Sequence, residues 1–217
     1  KFPHPVYLDL LLTTRAAAGD DATRNAIDLA LRSTLDAMAL GGIHDHLAGG
    51  FHRYSVDAKW LVPHFEKMLY DNALLLTTYA RAAIVYNEPF YRFVAERTAG
   101  YILSELTCRE SPTSTHPKGQ PIAFYSAQDA EVDHREGLNY LWSPEEFRAI
   151  LYPEDSAFAE QIYGLSQGPN FRDPHHPHDP PRNVLFLSAR PALTDHAKLD
   201  PRVERINTCL LYTSPSP

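Results

Sequence analysis

The side chains of this chain that can do chemistry are concentrated in residues 41–73, GGIHDHLAGGFHRYSVDAKWLVPHFEKMLYDNA. Charged and imidazole groups are seldom buried without partners, so this mixture with aromatics points to a lined pocket more than to core. His64 and Asp71 stand seven residues apart. On a helix begun by Pro63 that spacing leaves them only ~20° apart around the axis, with Lys67 on the adjoining flank. Glu66 falls on the other side of the Phe65/Leu69/Leu76 stripe. An imidazole beside a carboxylate exchanges protons near neutral pH, so His64, Glu66 and Asp71 are the candidate catalytic groups. A Lys67–Asp71 ion pair at i,i+4, with His64 as cap, accounts for the same residues without chemistry.

The loop before that helix adds binding groups. Gly49-Gly50 permits positive φ or close backbone approach to a ligand. Arg53 offers a planar donor fork, and Tyr54 and Trp60 offer flat faces suited to a sugar ring. With Asp57, Lys67 and Asp129 these are the candidate substrate-binding residues. An Arg53–Asp57 pair bracing the loop over core aromatics is the structural alternative. Asp129, Glu131 and Asp133 would suit glycoside chemistry if two of them faced a cleft, and otherwise form an exposed acidic turn. His44, His46 and His52 with Asp45 invite a metal reading. However, i and i+2 do not face each other on a helix, and the flanking glycines argue for a loop, so no metal is assigned. The Asp173–Asp179 tract, DPHHPHD, reads as a solvated loop. No GxSxG, Walker-type or GxGxxG motif occurs, and no cofactor is called for.

The elements that must position these groups are mainly helical. Apolar spacing and a Gly41-Gly42 stop predict a helix over residues 21–40. Residues 41–61 read as an ordered loop. Pro63 suits the first turn of a helix running to Tyr86, and Pro89 opens another over Phe90–Leu106. Residues 111–120 are a Pro/Ser/Thr loop. Ile122–Ser126 and Leu138–Trp142 are β-like, which predicts a hairpin with a long acidic connection. Ser143-Pro144-Glu145-Glu146 has the form of a capping box opening a short helix to Leu151. Further helices are expected over Asp155–Tyr163 and Asp200–Asn207, with a Pro/His-rich loop over 164–183 and a strand at Val184–Leu187. Paired helices with one β insertion point to an all-α toroid or bundle.

With 217 residues, 44% hydrophobic and 22% charged, the chain has an ordinary globular composition. A net charge of -7 with no basic cluster argues against a nucleic-acid partner. No apolar run approaches the ~20 residues of a membrane span, and no signal peptide is visible, so a cytoplasmic location is expected. The chain opens KFPHP without Met, and its natural start is expected upstream. The last nine residues, CLLYTSPSP, resemble a translated sequencing adapter, so 209–217 are expected to be non-native. Cys108 is then the one genuine cysteine, which says little about redox compartment.

Three blocks carry a family resemblance: GGIHDHLAGGFHRYSVDAKWLVPHFEKMLYDNALL, AFYSAQDAEVDHREGLNYLWSPEEF, and YGLSQGPNF followed by NVLFL. In this order they resemble the spermatogenesis-associated protein 20 / YyaL-like family of thioredoxin-domain-containing proteins. Ala48, where the family pattern has Gly, and the PHHPHDPP tract are departures. The resemblance implies an N-terminal thioredoxin-like domain followed by an (α/α)6 toroid of the six-hairpin glycosidase class, similar to sugar epimerases. Residues 1–208 would then be a partial toroid with a small β-hairpin insertion, lacking the thioredoxin-like domain and the later helix pairs. The implied ligand is sugar-like, and the implied partner is the chain's own thioredoxin-like domain. Activity would be epimerase- or hydrolase-like. The alternative is a non-catalytic, redox-linked binding or scaffold module.

Overall fold

The computed structural model describes residues 1–109, 122–193 and 198–213. The expected Ser111–Gln120 loop lies outside them. Seven helices and a few two-residue strands make the described chain mainly α. The N-terminal half is four helices: α1 (Pro5–Ala17), α2 (Asp21–Leu40), α3 (Leu69–Tyr86) and α4 (Pro89–Ser104). In α2, Asp20 caps the first turn by accepting from the Thr23 N–H. Ile27, Leu31, Leu35 and Met38 then recur every three to four residues and are buried. α1 is not among the elements anticipated from sequence, although Pro5 sits in its first turn and Leu8 and Leu12 form its buried stripe. α3 packs on α1 and α4. The core they enclose runs from Leu31 and Leu35 through Phe51, Leu75 and Tyr79 to Tyr91 and Val94.

The expected helix from Pro63 begins six residues later. Phe65 sits at φ +56°, in the left-handed region that a helix cannot pass through and that bulky side chains rarely adopt. Backbone groups of residues 62–66 pair outward instead. Arg53 N–H donates to the Glu66 carbonyl, and His64 N–H to the Tyr54 carbonyl. Lys67 and Met68 form β1, antiparallel to β4 (Ala127–Gln128). His64, Lys67 and Asp71 therefore do not share one helix: His64 precedes β1, Lys67 lies in it, and Asp71 is in α3.

The long-connection hairpin is also replaced. β3 (Ala123–Phe124) pairs with β2 (Thr107–Cys108), and β7 (Leu141–Trp142) pairs with β8 (Asn183–Val184). The acidic connection forms its own tight hairpin, β5 (Glu131–Val132) with β6 (Arg135–Glu136), turning through Asp133 and His134 at positive φ. Asp and His tolerate that backbone region better than most residues, and this local turn chemistry outcompetes the longer pairing.

The C-terminal half is α5 (Pro144–Ile150), α6 (Pro153–Ile162) and α7 (Pro201–Thr213). The expected capping box is present in both directions: Ser143 Oγ accepts from Glu146 N–H, and Glu146 accepts from Ser143 N–H. These helices close on Trp142, Phe147, Tyr163, Ile206 and Leu210. α7 runs beyond the expected Asn207 into the segment 209–213. No described helix is long and apolar enough to cross a membrane.

Candidate functional site

The site starts from a curled loop. Gly49 and Gly50 lie at φ +85° and +77°, where a side chain is strained. A Cβ on Gly50 would stand 2.4 Å from the Tyr101 ring. The curl lets Asp45 Oδ1 accept from the N–H groups of Leu47 and Ala48, at 2.9 and 3.0 Å. Asp45 Oδ2 is left facing Lys67 Nζ at 2.7 Å. Lys67 arrives from β1 with its side chain fully buried. Its ammonium also donates to the Gly49 carbonyl at 3.0 Å and lies 4.3 and 4.8 Å from the ring centres of Tyr101 and Tyr140. Burial works to raise the Asp45 carboxyl, but the charge and hydrogen bond of Lys67 outweigh it and hold Asp45 low. Burial lowers Lys67, against the pull of Asp45. The result is a desolvated cation whose donors are charge-assisted and whose faces are aromatic.

This pair is part of the lining of a cleft of about 350 Å³. Glu105, Gln128 and Arg97 add polar walls. Gln128 Oε1 accepts from the hydroxyls of Tyr101 and Tyr140, at 2.8 and 3.2 Å, which fixes both rings. His52 Nδ1 donates to the Phe65 carbonyl at 2.9 Å. The carbonyl can only accept, so the lone pair of His52 is on Nε2. Burial, then the Lys67 charge, drops His52 to about 3, and burial drops His46 to about 4. These histidines are neutral at pH 7. Among the described residues, no three His, Cys, Asp or Glu side chains come together as a metal set.

Of the candidate catalytic and substrate-binding residues, Lys67 alone lines this cleft, and His44, Asp45, His46 and His52 of the set that invites a metal reading line it too. Five of the other candidates fall into two groups, His64 with Tyr54, and Arg53 with Glu66 and Asp71. His64 Nδ1 lies 2.9 Å from Glu136 Oε1, and its ring stacks on Tyr54 at 4.7 Å. Arg53 donates to Glu66 at 3.0 Å. Beside that pair, burial pushes the Asp71 carboxyl up to about 6, with Arg53 opposing and Glu66 reinforcing. Asp71 Oδ2 has no partner among the described residues. Asp57 accepts from the N–H groups of Lys59, Leu61 and Val62, closing the loop without Arg53. Trp60 is 3% exposed, sits at φ +65°, and is covered by the Lys1 ammonium. Asp129 accepts from the Glu131 N–H at the start of the hairpin.

Tyr101, Gln128 and Tyr140 are cleft residues that sequence reasoning missed, and Asp45 enters it only as part of a metal set, not as the partner of Lys67. Sequence spacing carries no signal for the strand pairing that brings Gln128 opposite Lys67.

No family model matches the sequence. Among the curated proteins similar to it are three called spermatogenesis-associated protein 20. The rat protein is 36% identical over 78% of this chain and 22% of its own length. The mouse protein is 35% identical over 86% of this chain and 24% of its own length. The human protein is 33% identical over 97% of this chain and 27% of its own length.

Proposed function

Because this chain belongs to the spermatogenesis-associated protein 20 family while spanning 22–27% of those relatives' length, we propose that it supplies one wall of a larger ligand-binding protein, whose Lys67 cleft takes a carbohydrate or similarly polyhydroxylated molecule. In this reading its helices are the first pairs of an (α/α)6 toroid. The thioredoxin-like domain and the later pairs belong to the rest of the relatives' length.

One observation carries the proposal: the buried Lys67 ammonium lies under two tyrosine rings in a cleft that also holds Gln128 and Glu105. A sugar presents hydroxyls that both donate and accept, together with a flatter apolar face. Lys67 has one N–H left beyond those given to Asp45 and Gly49, while Glu105 supplies an acceptor, Gln128 an amide, and the tyrosines the faces. The volume is within the range of small-molecule sites. The reading is one of binding. His64, Glu66 and Asp71 are not among the cleft-lining residues, so no proton-transfer step is routed through them.

The test is calorimetric titration of the 217-residue chain with glucose, mannose, N-acetylglucosamine and glucuronate. Saturable binding to at least one, weakened roughly tenfold by Glu105→Ala, is expected. No heat from any of the four would sink the proposal. The second reading, a non-catalytic module packed against the thioredoxin-like domain, is favoured by one feature. Asp45 already satisfies three donors without a ligand. Under that reading Lys67 is a structural node, and every sugar is silent.

A further inference from the structure

A second cavity of about 250 Å³ adjoins the cleft, with His44 and His46 in the wall of both. Its lining is largely apolar: Phe93 of α4, Ile162 of α6, Leu187 and Val203 of α7. Of the buried polar groups that interrupt it, His46 and Tyr163 are hydrogen-bonded and two carry atoms unpartnered among the described residues. His44 is 2% exposed, and neither ring nitrogen has a hydrogen-bond partner among the described residues. Asn207 is 4% exposed; its Oδ1 accepts from the Tyr163 hydroxyl, and its Nδ2 has no such partner. Buried polar groups are almost always hydrogen-bonded, so two orphans in one cavity wall call for a partner that fills it.

We propose that this cavity binds a small, uncharged, mainly apolar molecule carrying one hydroxyl that reaches His44 and Asn207. The chemistry of the walls sets the class. Asn207 Nδ2 only donates, and a neutral imidazole has one donor and one acceptor. A hydroxyl meets both, accepting from Asn207 and donating to His44. Burial holds His44 well below the ordinary histidine range, so it offers no cation to an anion. The Arg190 guanidinium in the lining is already held by Asp36 at 2.7 Å and Glu88 at 2.8 Å. The exposed Asp200 carboxylate would repel an anion. An apolar cavity of roughly 150 Å³ stays dry and takes benzene, so this one has room for a single substituted ring.

Phenol is the probe, with toluene and benzoate as comparators, titrated into the isotopically labelled whole chain and followed by NMR. Saturable shifts with phenol are expected, binding roughly tenfold weaker with toluene, and none with benzoate. Asn207→Leu should reduce phenol to the toluene level, and Val203→Phe, which fills the space, should abolish both. Glu105→Ala, in the other cleft, should leave phenol binding unchanged. Absence of saturable shifts with phenol overturns the proposal, as does phenol binding that survives Val203→Phe. If Asn207→Leu does not fold, the phenol-to-toluene ratio and Val203→Phe decide.

Discussion

Lys67 and Asp45 are the residues on which the cleft turns, because each makes the other's burial tolerable. Removing one partner of a buried pair leaves an uncompensated charge, which costs roughly 3–5 kcal/mol. Lys67→Met is therefore expected to lower unfolding free energy by about that much in urea. The double change Lys67→Met/Asp45→Asn, which keeps a side-chain oxygen for the Leu47 and Ala48 N–H groups, should recover most of it. A double variant no better than the single one would refute the pairing as the source. The histidines predict a pH dependence. Folded His46 and His52 titrate at about 4 and 3, against an ordinary 6.5. Between those values the unfolded chain takes up protons that the folded chain refuses. Stability then falls as pH drops, by ~1.4 kcal/mol per pH unit for each histidine once the window is fully entered. Asp71 works in the opposite sense, since its folded carboxyl binds a proton between 3.8 and about 6 that the unfolded one releases. The urea midpoint should still fall between pH 7 and 5, and His52→Asn should flatten the slope. A midpoint independent of pH across that range would show that these histidines are not buried as described.

Among the elements, the curled loop and the capped helix can be tested separately. Gly50→Ala would place a methyl group against the Tyr101 ring from a backbone at φ +77°. A loss of more than ~1 kcal/mol is expected, with a shift in tyrosine near-ultraviolet dichroism. An unchanged spectrum and midpoint would mean that the loop does not press on that wall. Ser143→Ala removes one half of the box opening α5 and should cost about 1 kcal/mol by thermal unfolding. That capping signal is wholly local and was legible in four consecutive residues. The start of α3 was not. Pro63 suits a first helical turn equally well wherever nothing competes, and here strand pairing to β4 and bonds to residues 53–54 compete and win.

For the whole molecule, the described chain has two principal cores. One lies among α1 to α4 and the other among α5 to α7, while a smaller cluster of Phe65, Leu141 and Val184 accompanies the β pieces. Leu210 is fully buried in the second core. Deleting residues 209–217 is therefore expected to cost roughly 2 kcal/mol of stability, the burial of one leucine. Equal midpoints for the shortened and full chains would show that the segment adds nothing to the fold.

Sequence alone determined what rests on neighbours and periodicity. It identified the α2 stripe, the Pro-led start of α4, the capping box of α5, the mainly helical class, and the family through three ordered blocks. It also located the dense polar stretch from which the cleft loop and Lys67 come. Tertiary structure alone decided how that stretch divides. Lys67 turns inward to Asp45, while His64 goes to Glu136 and Glu66 to Arg53. The reason is physical. A side chain's partner depends on backbone direction, which one left-handed residue such as Phe65 can reverse. It depends also on desolvation, which no spacing rule contains.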